Sequence, residues 1–180
     1  MSARWIDGID AQRARERLTL TYALTGRLRL GVEYNIKALE PRDRFGPLVN
    51  LRLVDETRHR PALILGTSSD RIGTEEGQAY YATVSKSLQP WIDLPVAPYV
   101  GASYNDRNYE WLAIAGLNYR LFDEFNVTHL WDGRNLHHTI DVGLGGVPAG
   151  EDPFLHHAAG LVVAEQDGDY FVGLSYRMTF

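Results

Sequence analysis

The sequence predicts an all-β fold: one closed antiparallel transmembrane β-barrel of about twelve strands (ten to twelve), with a short helix or a polar loop near the N-terminus, filling residues 1–180 as a single domain. Three observations predict it. The C-terminal segment alternates strictly between apolar and small or polar side chains. A hairpin over residues 17–36 repeats that alternation with charges on its second face. Strand-like stretches then recur to the end of the chain with no break that would mark a second domain.

The C-terminal segment sets the solvent question. Tyr170, Val172, Leu174, Tyr176, Met178 and Phe180 fall on one face, and Phe171, Gly173, Ser175, Arg177 and Thr179 on the other. An aromatic-rich apolar face that stops on a terminal phenylalanine is similar to the closing strand of a bacterial outer-membrane barrel. That reading makes the first set membrane-facing, and the last strand the expected contact with the barrel-assembly machinery. In the hairpin, Leu18, Leu20, Tyr22 and Leu24 return as Leu28, Leu30, Val32, Tyr34 and Ile36, while Arg27, Arg29, Gly31, Glu33 and Asn35 share the opposite side. Unpaired charges in a dry core cost several kcal/mol or more, so this face suits a watered or ion-paired lumen.

The remaining elements follow in order. Residues 10–17 have helix-forming composition with Asp10 as a possible cap, and read as a short helix or a polar loop. Strands are predicted at 17–25, 27–36, 47–54, 61–67, 78–88, 96–104, 110–121, 125–131, 138–144, 158–164 and 169–180; since single-chain barrels have an even count, either residues 3–9 supply a twelfth or one of these segments is not a strand. In 110–121, Trp111, Ala113, Ala115, Leu117, Tyr119 and Leu121 alternate with Glu110, Gly116, Asn118 and Arg120. Pro98 interrupts the alternation of 96–104 and belongs near a strand end, because proline cannot donate to a ladder. If the last strand descends to the periplasm, the links at 166–168, 132–137, 105–109, 68–77 and 37–46 are extracellular. Those at 145–157, 122–124, 89–95, 55–60 and 25–26 are then periplasmic, and the long 145–157 link fits that side badly.

Composition excludes several classes. A net charge of −5 supplies no basic surplus for phosphate neutralisation, so nucleic acid is not an expected partner. The absence of cysteine excludes disulfides and thiolate chemistry. No apolar run is long enough for a transmembrane helix. Ten tyrosines and four tryptophans agree with interfacial girdles, and equally with a soluble tyrosine-rich β-protein. The N-terminus lacks the profile of a signal peptide, so an outer-membrane location implies that the leader is absent from this chain.

One stretch carries a family resemblance. It comprises Leu51-Arg52-Leu53, the acidic turn Asp55-Glu56, Pro61 to Gly66 reading Pro-Ala-Leu-Ile-Leu-Gly, Gly73-Thr74, and Tyr81 with Ser85-Lys86. This pattern, about a quarter of the chain, resembles the YjbH-type outer-membrane barrels associated with exopolysaccharide export. The resemblance implies a role connected with cell-envelope polysaccharide. It brings no catalytic residue.

The candidate site is the lumen. Arg27, Arg29, Glu33, Arg52, Glu110, Arg120, Asp141 and Arg177 point inward under one consistent facing, and their mixed signs predict pairing across the interior. The function expected is non-enzymatic, structural or transport-related: a narrow pore or a plugged barrel whose partner is the outer-membrane bilayer. The rival classes are a lipid-modifying barrel enzyme (acyl hydrolase or acyltransferase) and a soluble lipocalin-like carrier. The doublets His137-His138 and His156-His157, with His129, Asp132 and Asp141 nearby, motivate the enzyme. Adjacent strand residues point to opposite faces, so each doublet offers one imidazole to any one site. No catalytic residue, metal site or cofactor is assigned, because no His pair stands at ligand spacing on a common face. The glycine-bearing loop 68–77 reads as a surface turn or as a constriction folded into the lumen.

Overall fold

In the computed structural model, twelve antiparallel strands close into one barrel, each strand pairing with its neighbours in sequence and β1 (Ser2–Ile6) pairing with β12 (Asp169–Thr179). The structure describes the whole chain except residues 11, 70–75, 123–124, 150–151, 167 and 180. For residues 145–149, 152–157, 166 and 179 it describes the strand path alone. Phe180 therefore lies outside the described residues.

After β1 the chain makes a one-turn helix, α1 (Gln12–Arg15), the helical one of the two forms open to residues 10–17, and then β2 (Glu16–Ala23) and β3 (Leu28–Asn35). A 3₁₀ turn at Pro41–Asp43 leads into β4 (Phe45–Val54), followed by β5 (Ala62–Ser68) and β6 (Ala79–Ser85). A second short helix, α2 (Gln89–Ile92), precedes β7 (Val96–Asn105), β8 (Glu110–Phe122) and β9 (Phe125–Trp131). Pro98 is the third residue of β7, near its start. The last hairpin corrects one expectation. Within 145–157, read as a long link, residues 145–149 are instead the continuation of β10 (Leu136–Ala149) and residues 152–157 the beginning of β11 (Asp152–Gln166). The register shifts between Gly143 and Gly146 and again between Val147 and Ala149, and such bulges accommodate glycine and proline within a strand.

Register fixes the faces. Leu18 stands opposite Tyr34, Leu20 opposite Val32 and Tyr22 opposite Leu30, and all six lie on the outer wall. The same outer row runs from Trp5 through Leu174, Leu161, Ile140 and Val127 to Tyr119, crossing six strands. Large apolar side chains are exposed on strand after strand: Leu20 59%, Val100 62%, Trp111 72% and Leu174 60%. Aromatic residues gather at the two ends of that wall. Trp5, Tyr34, Phe45, Tyr80, Tyr104, Trp111, Trp131 and Tyr170 lie near the end that carries the β1–β2 and β3–β4 connections. Tyr22, Trp91, Phe122, Phe125 and Tyr176 lie near the other, where Trp91 also stacks under the Lys86 ammonium at 4.5 Å.

The inner face is filled unevenly. Glycines on it let aromatic side chains lie flat against the sheet: Tyr99 covers Gly116, and Tyr81 covers Gly66 while its hydroxyl accepts a hydrogen bond from Asn50 Nδ2 at 3.3 Å. A Cβ at residue 116 would sit 2.3–2.4 Å from Tyr99 ring atoms. Gly116→Val is therefore expected to destabilise the barrel by about 1–3 kcal/mol through overpacking. Gly26→Ala, in open space at a turn, is expected to change nothing measurable. Denaturant unfolding of the two variants checks this, and equal midpoints would remove the packing role of Tyr99.

Candidate functional site: the sealed end of the lumen

The two halves of the lumen differ. Toward the end where the β2–β3 turn lies, inward residues such as Thr21, Arg29, Asn118, Arg120 and Asn126 remain exposed. Toward the opposite end, inward residues are buried: Glu33 and Asn105 at 0%, Asn35, Asp132 and Ile114 at 1%. One end is a wet vestibule and the other is closed.

The closure begins with the N-terminal segment. Gly8 takes a positive φ of 71° beside the Phe171 ring, which turns the chain back inside the barrel after β1. Ile6 and Ile9 then pack on Val162 and Ala164, with Ala14 and Phe171 against them. This small apolar cluster docks α1 within the lumen. Arg15 Nε donates to Ile9 O at 2.7 Å and ties the turn. Arg13, 3% exposed, reaches across the barrel and donates to Gly77 O at 2.6 Å and Ser69 O at 3.1 Å. A buried guanidinium demands such partners, and carbonyl oxygens supply them without adding charge.

Glu33 holds the other side of the same loop. Its Oε1 accepts from Ser69 N at 2.7 Å, and its Oε2 pairs with Arg17 at 3.3 Å. Asn35 Nδ2 donates to Ser69 Oγ and to Asp43 O, both at 3.3 Å. Gly77 N donates to Asp43 Oδ1 at 3.2 Å, and Arg107 bridges Asp43 and Glu76 at 3.8 and 3.4 Å. Ser69 and Gly77, the described ends of the loop 68–77, are therefore pinned into the lumen. Residues 70–75 of that loop lie outside the described residues.

The predicted lumenal residues divide. Glu33 is the deepest and belongs to the closure. Arg29 lines a cavity of about 340 Å³ on the vestibule side, with Thr21, Asn50 and Tyr81. Asp141 and Arg177 pair at 3.7 Å across β10–β12. Arg27 and Arg52 both pair with Asp55 at the vestibule rim, and Glu110 pairs with Arg134 at the opposite rim. Arg120 is exposed on the vestibule side. These pairs join strands and turns that are adjacent or one strand apart, Asp141 and Arg177 reaching over Gly160 of β11, and none of them crosses the lumen. Arg13 does the crossing, and its place in a polar octet gave no sign of it.

The histidine doublet 137–138 splits as strand geometry requires. His137 turns inward, its Nε2 2.8 Å from Asp132 Oδ2. Asp132 Oδ1 accepts from Arg134 N at 2.9 Å and Asn135 N at 2.8 Å, so the carboxylate is held by the β9–β10 turn. His138 turns outward and meets His129 across the strands, Nδ1 to Nδ1 at 2.5 Å. Tyr119 Oη lies 3.1 Å from His129 Nε2 and extends this outer polar chain. The side chains of His156 and His157 lie outside the described residues. Among the described residues no three histidines or carboxylates gather as a metal site.

Comparison with known protein families, with curated proteins and with solved structures finds no match to this chain.

Ser69 takes bonds from both locks, its carbonyl from Arg13 and its N–H to Glu33. Arg13→Ala and Glu33→Ala are each expected to cost on the order of 3 kcal/mol. Because they share Ser69, the double variant should fall short of additivity by about 1 kcal/mol. A double-mutant cycle in denaturant unfolding reads that coupling, and strict additivity would mean the two locks act independently.

Proposed function

We propose that this protein is a bacterial outer-membrane β-barrel, non-enzymatic, with a structural or transport-related role and a lumen held shut at one end by its own N-terminal segment. The observation that carries the reading is the sidedness of the wall. Apolar side chains circle the outside between two aromatic bands, and the charged and amide groups lie within or at the rims. Among the described residues this apolar surface, interrupted by the outward His129 and His138, runs from strand to strand and far exceeds the few hundred Å² that soluble monomers expose. A lipocalin-like carrier would have the opposite polarity, with its apolar side chains gathered inside.

Dimensions support the same setting. On β12 the outward row from Tyr170 to Met178 covers about 27 Å along the strand, and about 20 Å along the axis at a tilt near 40°. That is close to the apolar band of about 25 Å expected of such barrels. By parity the sealed end, opposite both termini, faces outward from the cell, and the vestibule faces the periplasm. The connection with envelope polysaccharide rests on the resemblance within residues 49–88 alone and belongs to the proposal. It makes the vestibule, lined by Arg29, Asn50 and Asn118, the surface that meets hydroxyl-rich chains.

Planar-bilayer recording tests the closure. The unmodified chain is expected to give little steady conductance, and Arg13→Ala combined with Glu33→Ala is expected to raise open events at least several-fold by freeing Ser69 and Gly77. A large stable conductance from the unmodified chain would overturn the plugged reading in favour of an open pore.

A further inference from the structure

Within the sealed half lies a cavity of about 160 Å³ between α1, β1 and strands β9–β11. One wall is apolar: Ile6, Ile9, Val162 and Ala164. The other carries Asn35 and His137. Cavities of about this size in other proteins hold one benzene-sized molecule.

The polar wall presents acceptors. Asn35 is 1% exposed and spends its Nδ2 donors on Ser69 Oγ and Asp43 O, while its Oδ1 has no donor among the described residues. A buried amide oxygen without a donor is costly, so this atom is expected to receive one from a ligand. His137 is oriented by Asp132, whose carboxylate is fully occupied by two backbone N–H groups and the imidazole. That contact holds Nε2 at the carboxylate, so Nδ1 is a second acceptor in the tautomer that carries its one proton on Nε2. Two arginines and two carboxylates share the lining: Arg13, committed to Gly77 O and Ser69 O, and Arg4, whose Nη2 donates to Ala14 O at 3.5 Å, stand with Asp132 and Glu165. Their formal charges balance, so the site offers an anion no net attraction.

We infer that this cavity is a binding site for a small neutral amphiphile of phenol size, whose apolar body lies on Ile6, Ile9, Val162 and Ala164 and whose hydroxyl donates to Asn35 Oδ1 or His137 Nδ1. Leu130 lines both this cavity and the larger one on the vestibule side. Entry thus runs from the vestibule past one leucine side chain, and the site does not depend on whether the barrel conducts.

The test uses the full chain folded in detergent, with 4-fluorophenol and 4-fluorotoluene as probes followed by ¹⁹F NMR and detergent micelles alone as the reference. Saturable binding of 4-fluorophenol is expected, with 4-fluorotoluene about tenfold weaker for want of one hydrogen bond. Asn35→Leu and His137→Phe should each weaken 4-fluorophenol several-fold while leaving 4-fluorotoluene unchanged or tighter. Val162→Phe, which fills the apolar side, should abolish both. Equal affinity for the two probes on the unmodified chain, or uptake no different from empty micelles, would overturn the site whatever the variants do.

Discussion

Closure of the sheet between β1 and β12 is the constraint on which the rest depends. Five residues of β1 pair with β12, from Ser2 opposite Arg177 to Ile6 opposite Gly173, and Met178 N donates to Met1 O at 2.8 Å beyond that ladder. Without β1 the sheet would present two edges, each a row of unpaired N–H and C=O groups. In hydrocarbon each such group costs several kcal/mol, which is why only closed barrels and helices span a bilayer. The same segment then runs straight into the lumen. Ile6 and Ile9 seat α1, and α1 carries Arg13 to the far wall. Ring closure and the docking of α1 inside the barrel are therefore carried by one continuous N-terminal segment.

The polar interior is tolerable because its two halves solve the desolvation problem differently. On the vestibule side Arg29, Arg120 and Asn126 keep water. On the sealed side Glu33, Asn35, Arg13 and Asp132 lose it and are bonded to backbone groups and to the side chains of Arg17, Ser69 and His137. Breaking such a set at one member leaves buried groups uncompensated, so it specifies one arrangement of the loop over Ser69 and Gly77. The proposed small-molecule site belongs to this half, where one acceptor of the set is left over.

Much of the barrel was legible because a strand writes its two solvents into alternate letters. The rows of Leu18 to Leu24 and Tyr170 to Met178 state the outer face directly, and residues 10–17 announce a helix by composition. The β10–β11 hairpin was not legible. Gly145, Gly146, Pro148 and Pro153 read as a loop, and only the register shifts explain how strands accommodate them. Glu33 could be placed inside from its face. Its partners could not, since Ser69 stands 36 residues away and Arg13 reaches over 56 and 64 residues to its acceptors. His137 and Asp132 are five residues apart across a turn, and alternation already separates His137 from His138. What sequence lacked was the register that turns one toward Asp132 and the other toward His129.

The central claim is that the exposed apolar wall faces hydrocarbon. Three of the four tryptophans stand on that wall, Trp5 at 47% exposure, Trp111 at 72% and Trp131 at 39%, and the fourth, Trp91 at 47%, on α2 at its rim. Fluorescence quenching of the chain reconstituted in vesicles measures their solvent without any substitution. Strong quenching by lipids brominated along the acyl chain, with weak quenching by aqueous acrylamide, is the predicted result. Free quenching by acrylamide and none by brominated lipid would contradict it.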